Sequence, residues 1–333
     1  MPELRKDPVL GRWVIIATER GKRPNDFAGE RPVRANGFCP FCEGREEMTP
    51  PEVLACREPG GQPNGPGWRV RVVPNKYPVL QVEGDLGKKG MGIYDHMHGV
   101  GAHEVVIETP EHKTTLTELE EARIVEVILA CRDRLVDFRN DRRMVCGMIF
   151  KNVGDAAGAT LEHTHSQIIC TPVVPRTIQQ EMDGSKAFFE YRGRCIFCDM
   201  IEQETGAGTR VVAEHGNFLA FEPYAPRFPF ETWVLPRRHA SHFENIAGDD
   251  AAEFAHILRE VLLRLERGLS SPAYNYMIHT TPLAMERQEH YHWHVEIIPR
   301  LTKVAGFEWG TGFYINPVAP ESAADHLRSV AIP

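Results

Sequence analysis

Residues 159–169 read ATLEHTHSQII. Two histidines stand one residue apart, a glutamine follows two later, and an aliphatic run closes the stretch. In an extended strand alternate side chains point to the same face. The stretch therefore predicts a row of His163, His165 and Gln167 on one side, with Thr164, Ser166 and Ile168 on the other. Two imidazoles and a carboxamide in one row pose a chemical question, and the rest of the chain bears on it.

Outward from that row, the chain repeats itself. The first half runs CPFC, WRVRVVPNKYP, HEVVIETPEH, a helix, MIFKNVG and HTHSQII. The second half runs CIFC, FLAFEPYAPRFP, ETWVLPRRH, a helix, YNYMIHTTP and HWHVEII in the same order. The two helices, ELEEARIVEVILACRDRLVDF and DDAAEFAHILREVLLRLERGL, place apolar residues at three- and four-residue steps, as on one buried face. The flanking segments alternate or run β-branched and aromatic, with Pro, Gly and Asn between them. The fold class expected is α+β: a duplicated unit, each copy an antiparallel sheet carrying one long helix. The expected division is residues 1–176 and 190–333, joined near VVPRTIQQEMDGSKAFFEYRGR.

The repeat also organises the cysteines. Four of eight form two Cys-x-x-Cys pairs, Cys39/Cys42 and Cys195/Cys198, and the other four lie in apolar surroundings. Tetrahedral zinc takes thiolates and imidazoles, commonly with two ligands on such a turn. The first candidate set is Cys39, Cys42, His112 and His163; the second is Cys195, Cys198, His239 and His292. His242 competes with His239, and aligning PEHKTTL on PRRHASHF favours His239. The competing reading is a pair of redox dithiols. Two pairs with histidines at corresponding places favour two structural zinc sites, although iron can replace zinc at such ligands. Closed four-ligand sites leave no position for substrate, so the chemistry belongs elsewhere.

If His163 is a metal ligand, His165 is the free imidazole of the row. A lone strand histidine is commonly a residue satisfied by one hydrogen bond. Here its backbone is pinned by the neighbouring ligand, and it follows NVGDAAGATLEH, whose two glycines let backbone N–H groups approach an anion. It precedes Gln167, a neutral donor suited to an equatorial phosphoryl oxygen. A fixed neutral imidazole is a good nucleophile toward phosphorus near pH 7. Positioning and charge neutralisation are then the protein's remaining tasks. Arg20, Lys22 and Arg23 in ERGKRP supply candidate cations. The second half reads His292-Trp-His294-Val-Glu296, and a carboxylate in the place of Gln167 repels phosphate. Only the first half is expected to be catalytic.

Composition bounds the rest. The chain has 333 residues, 42% of them hydrophobic and 25% charged, an ordinary globular mixture with length for two domains. A net charge of −8 argues against a general nucleic-acid binder. No apolar run is long enough to span a bilayer, and MPELRKDPVLGRW is too polar for a secretory signal. A cytoplasmic protein without nucleic-acid or membrane partners is the expectation.

Taken in order, ELRKDPVLGRWVIIATERGKRPNDF, CPFCEG, RVVPNKYPVL, PEHKTTLTEL, FKNVGDAAGATLEHTHSQ, FETWVLPRRHASHF, YNYMIHTTPL and GFEWGTGFYINPV resemble the galactose-1-phosphate uridylyltransferase family. This is a branch of the histidine-triad superfamily that includes a plant ADP-glucose phosphorylase. The resemblance implies a duplicated histidine-triad-like fold, a homodimer, and ping-pong nucleotidyl transfer between a nucleotide sugar and a hexose 1-phosphate. His165 matches the family's nucleophile: it would attack UDP-glucose, release glucose 1-phosphate and pass a uridylyl group to galactose 1-phosphate. Gln167 matches the residue that hydrogen-bonds the transferred phosphoryl group. Arg20 and Arg23 match phosphate contacts and Asn75 a contact near the nucleoside. Asn152, Gly158, Ala159 and Thr160 match the loop around the phosphates. Lys303, Phe307 and Glu308 fall where the family binds the sugar phosphate. The best-known uridylyltransferases read His-Pro-His-Gly-Gln, whereas HTHSQ, the second Cys-x-x-Cys pair and GTGFYINP look like the plant branch. Adenylyl transfer by the same His165 is the rival reading. A histidine-triad hydrolase and a zinc-stabilised binding module stand behind it.

Overall fold

The computed structural model describes residues 2–19 and 38–333. A short outlying sheet joins β1 (Glu3–Lys6) and β2 (Trp13–Ile16) to a strand near the end of the chain. The first half then supplies β3 (Leu54–Arg57), β4 (Trp68–Pro74), the exposed hairpin of β5 (Lys89–Met91) and β6 (Tyr94–His96), and β7 (Ala102–Ile107). The long helix α1 (Glu121–Phe138) follows, then β8 (Cys146–Val153) and β9 (His165–Thr171). The expected joint is itself helical: α2 (Arg176–Arg192) leads into α3 (Ile196–Ala207). The second half adds β10 (Val211–His215), β11 (Phe218–Phe221), β12 (Thr232–Pro236), α4 (Gly248–Gly268), β13 (Tyr274–His279) and β14 (His294–Pro299). It closes with α5 (Gly306–Thr311), β15 (Tyr314–Asn316), which completes the outlying sheet beside β2, and α6 (Pro320–Ser329). None of these helices is long and apolar enough to cross a membrane.

Ten strands form one antiparallel sheet in the order β10-β11-β12-β14-β13-β8-β9-β7-β4-β3. Read from its two edges inward, the sheet repeats one unit: β3, β4, β7, β9, β8 from one side match β10, β11, β12, β14, β13 from the other. The duplication read from the sequence is thus a continuous sheet in which equivalent strands, β8 and β13, meet at the centre. Asn275 opposes Asn152 there, and Tyr276 opposes Lys151.

Each long helix turns its apolar stripe to the same face of this sheet, and the two meet over the central seam. Ile124, Leu135, Phe254, Val261, Leu262 and Leu265 share one core with Val72, Val106, Ile168, Val234, Tyr276 and Val295. Truncating one such leucine to alanine typically costs about 2–5 kcal/mol, so the two halves are stabilised jointly. A buried, bidentate ion pair from Arg134 of α1 to Glu104 of β7, at 2.7 Å on both arms, fixes that strand under its helix.

The opposite face is covered unequally. In the second half, α2 and α3 seal it with Ile178, Met182, Ile196, Phe197 and Ile201 over Leu219, Phe221, Trp233 and Leu235. In the first half, among the described residues, a smaller cluster of Cys39, Phe41, Trp68, Val73, Val105 and Ile107 covers it.

Candidate active site

Strand β9 begins at His165, and the side chains alternate as the sequence predicts. His165, Gln167 and Ile169 share the thinly covered face, while Ser166, Ile168 and Cys170 enter the core under the helices. His163 stands just before the strand and flanks Phe41 together with His165, at ring separations of 6.0 and 5.3 Å.

Two hydrogen bonds set the roles of these rings. The His163 Nε2–H donates to the Thr109 carbonyl at 2.9 Å, which leaves its Nδ1 unprotonated toward the thiols. The His165 Nδ1–H donates to the His163 carbonyl at 2.7 Å, which leaves its Nε2 as the lone-pair nitrogen. No hydrogen bond to that Nε2 is made among the described residues, and the residue is 7% exposed. Burial pushes the His165 pKa below the usual histidine value, so the ring is neutral and nucleophilic at pH 7.

Beneath the row lies a buried polar network that sequence reading missed. Lys151 of β8 donates to Glu108 at 2.6 Å, to Thr164 Oγ1 at 2.8 Å and to the His165 carbonyl at 3.0 Å. Glu108 also accepts from the Thr164 hydroxyl and from Ser166 at 2.6 Å. Burial would raise the Glu108 pKa; the Lys151 ammonium and the two hydroxyls outweigh it and hold the carboxyl below its ordinary value. The His165 backbone is therefore tied into a charge-balanced core.

Both cysteine–histidine sets assemble. The ligand atoms of Cys39, Cys42, His112 and His163 lie within 4.8 Å of one another, as do those of Cys195, Cys198, His239 and His292. Cys39 Sγ stands 3.5 Å from His163 Nδ1 and Cys42 Sγ 3.5 Å from His112 Nδ1; Cys198 Sγ is 3.4 Å from His239 Nδ1. A tetrahedral ion at ordinary zinc bond lengths separates S and N by about 3.5 Å, so the donor sets fit such an ion. The outer hydrogen bonds fit as well, since His163 donates to Thr109 and His239 donates from Nε2 to the Gln288 carbonyl. All eight cysteines are free. His242, the competing histidine, bonds Ser241 and the Met285 carbonyl instead. Cys195 caps α3, so this second pair opens a helix as redox dithiols do, yet two imidazoles complete its set.

The second half shows why its matching row differs. The His294 Nδ1–H donates to the His292 carbonyl at 3.1 Å, repeating the His165 arrangement. Its ring, however, is stacked between Phe197 and Trp233, each 5.1 Å away, and its Nε2 is sealed from solvent. Glu181, His279, His294 and Glu296 converge into a third cluster with metal-binding donor types, unforeseen from the sequence. Protein cations already balance its carboxylates. Arg227 pairs with Glu296, and His279 donates to Glu181 at 3.0 Å. Burial opposes charge on His279, but Glu181 prevails and raises it to about 9.

The other expected residues distribute unevenly. Asn75 is half-buried beside His103, whose Nε2 lies 2.8 Å from Gln167 Oε1. Asn152 accepts from the Asn275 amide at 2.8 Å, and the same amide donates to the Ala157 carbonyl at 2.9 Å, securing the glycine-rich loop to the central seam. Gly158, with φ of +85°, lets that loop turn beside Asn152, and Ala159 and Thr160 follow at its surface. Lys303, Phe307 and Glu308 lie on and beside α5; no hydrogen bond, ion pair or ring contact joins them to the His165 row among the described residues. Arg20, Lys22 and Arg23 lie outside the described residues.

Comparison with known proteins agrees with this geometry. Residues 1–175 match the N-terminal domain of galactose-1-phosphate uridyl transferase, and residues 181–331 match its C-terminal domain. An ADP-glucose phosphorylase from Arabidopsis thaliana is 38% identical over 338 residues, covering 99% of this chain and 93% of the relative. A galactose-1-phosphate uridylyltransferase from Thermotoga maritima is 30% identical, covering 100% and 99%. The crystal structure of an Arabidopsis thaliana ADP-glucose phosphorylase with bound ADP-glucose superposes with a TM-score of 0.86 at 37% identity, covering 100% of both chains. With both halves matched and the fold shared from end to end, the chain belongs to the galactose-1-phosphate uridylyltransferase family of nucleotidyltransferases.

Proposed function

We propose that this protein moves UMP from UDP-glucose to galactose 1-phosphate through a covalent uridylyl group on His165. One observation carries the reading: the His165 Nδ1–H is held by the His163 carbonyl, which leaves Nε2 as the lone-pair nitrogen on the same strand face as Gln167. Nε2 attacks the α-phosphorus, and the bond to the departing sugar phosphate breaks. The Nδ1 proton stays on the ring and shares its new positive charge with the His163 carbonyl. Gln167 donates to an equatorial oxygen of the transferred group. The incoming hexose 1-phosphate then attacks the same phosphorus and frees the ring.

Asn75, Asn152, Gly158, Ala159 and Thr160 contact the nucleotide in this reading, with Arg20, Lys22 and Arg23 as phosphate cations and Lys303, Phe307 and Glu308 for the hexose phosphate. Zinc held by Cys39, Cys42, His112 and His163, and by Cys195, Cys198, His239 and His292, is structural; at the first site it balances the thiolates and fixes the His163 ring. Units 1–176 and 190–333 are the two copies, and the chain works as a homodimer, as the family resemblance implies, in the cytoplasm, as its polar N-terminus and cysteine usage suggest. A second reading, adenylyl transfer in ADP-glucose phosphorolysis, is favoured by the 38% identity to the plant phosphorylase.

Intact mass after incubation with UDP-glucose or ADP-glucose, without acceptor, separates the two. A uridylyl adduct absent from His165→Ala supports the first reading, and an adenylyl adduct alone supports the second. No adduct with either, together with nucleotide-sugar binding unchanged in His165→Ala, refutes both.

A further inference from the structure

Gln167 has a role only if its amide faces the right way. A carboxamide presents an acceptor on one side and two donors on the other, and only the donor side serves a phosphoryl oxygen. Something must select the orientation, and His103 of β7 is placed to do so. β7 and β9 are antiparallel with Val105 opposite Gln167, so His103 is its diagonal neighbour on the same face.

The backbone fixes the His103 tautomer. The Val79 N–H donates to His103 Nδ1 at 3.3 Å, and a main-chain donor cannot reverse its role. Nδ1 is therefore the acceptor and Nε2 carries the proton. The Nε2–H lies 2.8 Å from Gln167 Oε1 and donates to it. Asn75 Nδ2 stands 3.1 Å from the same nitrogen; the Tyr77 N–H donating to Asn75 Oδ1 at 2.9 Å fixes Nδ2 as a donor, so it cannot accept the Nε2 proton, which is left to Gln167. His103 in turn receives the Asn75 N–H on its own carbonyl at 2.8 Å. The loop 75–79 thus sets the ring, and the ring sets the amide.

We propose that His103 is a positioning residue for nucleotidyl transfer: its Nε2–H holds Oε1 of Gln167 so that the Gln167 NH₂ group is presented to the phosphoryl group on His165. This rests on the reading of His165 as the nucleophile.

The test is a double-mutant cycle on the single-turnover rate of adduct formation, run with UDP-glucose and separately with ADP-glucose. A histidine acting through Gln167 loses its effect once Gln167 is gone, whereas one that only braces the loop does not. His103→Ala is expected to slow adduct formation about tenfold, the equivalent of one lost hydrogen bond. In a Gln167→Ala background the same change should slow it no further. His103→Gln, which brings an amide N–H to the place of Nε2, should restore most of the rate, and it carries the test alone if His103→Ala does not fold. Equal slowing in both backgrounds, no slowing by His103→Ala, or failure of His103→Gln to retain the rate overturns the proposal while leaving His165 intact. A wild-type protein that forms no adduct with either sugar removes the His165 reading and this one together.

Discussion

Replacing Lys151 with methionine removes the cation under the His165 backbone and leaves Glu108 behind. Both side chains are fully buried and 2.6 Å apart. An intact buried pair contributes little net stability, because desolvation offsets the attraction; removing one partner is costly, since the remaining charge has no solvent. Glu108 then escapes by taking up a proton. At pH 7 that uptake costs about 1.36 × (7 − 4.3), or about 3.7 kcal/mol, measured from an ordinary glutamate. This falls within the range of about 3–5 kcal/mol seen when buried pairs are broken, and it is a large part of a total stability of about 5–15 kcal/mol. The sign with pH follows. In the wild type the Glu108 pKa is lowered, so its contribution is present above the unfolded value and lost as pH falls. In the variant the folded pKa is raised, so stability is lost as pH rises. The gap between the two proteins should therefore shrink from about 4 kcal/mol at pH 7 to about 1 kcal/mol at pH 5. Urea unfolding at both pH values measures it, with Glu108→Gln/Lys151→Met as the control in which the pH dependence disappears. A Lys151→Met protein within about 1 kcal/mol of wild type at pH 7, or a gap that does not narrow toward pH 5, would refute the account of this network.

Gln167→Glu puts in the His165 row the carboxylate that Glu296 supplies in the second half; adduct formation should fall by more than about a hundredfold with the fold intact, which single-turnover mass kinetics and circular dichroism check together. Chelation should lower the melting temperature by more than about 5 °C before it alters the initial rate of transfer. An immediate rate loss with no change in melting would show a metal acting in the chemistry.

Local sequence carried the alternating row, the two long helices and both cysteine–histidine sets, because each is encoded by spacing within a few residues or by the repeat. The order of the ten strands was not legible, since pairing between β8 and β13 joins segments more than a hundred residues apart. His103, Glu108 and Lys151 were overlooked for the same reason. Each is an ordinary polar residue in a strand or, for Glu108, just past its end, until register brings it beside β9. The signal lay in HEVVIE, where charged groups interrupt an otherwise apolar strand and so demand buried partners. Glu296 was read as a phosphate repellent. The structure adds a steric cause, the stacking of His294 between Phe197 and Trp233.

The seam between β8 and β13 also governs how the chain can be born. A first half leaving the ribosome carries β8 as an unpaired edge and α1 without its neighbour α4, and an open edge invites pairing with other chains. At ordinary synthesis speeds the roughly one hundred residues from α2 to the end of β13 take about 5–20 s to emerge. For that interval the first half waits with one long border of β8 unpaired, until β13 arrives to close the sheet.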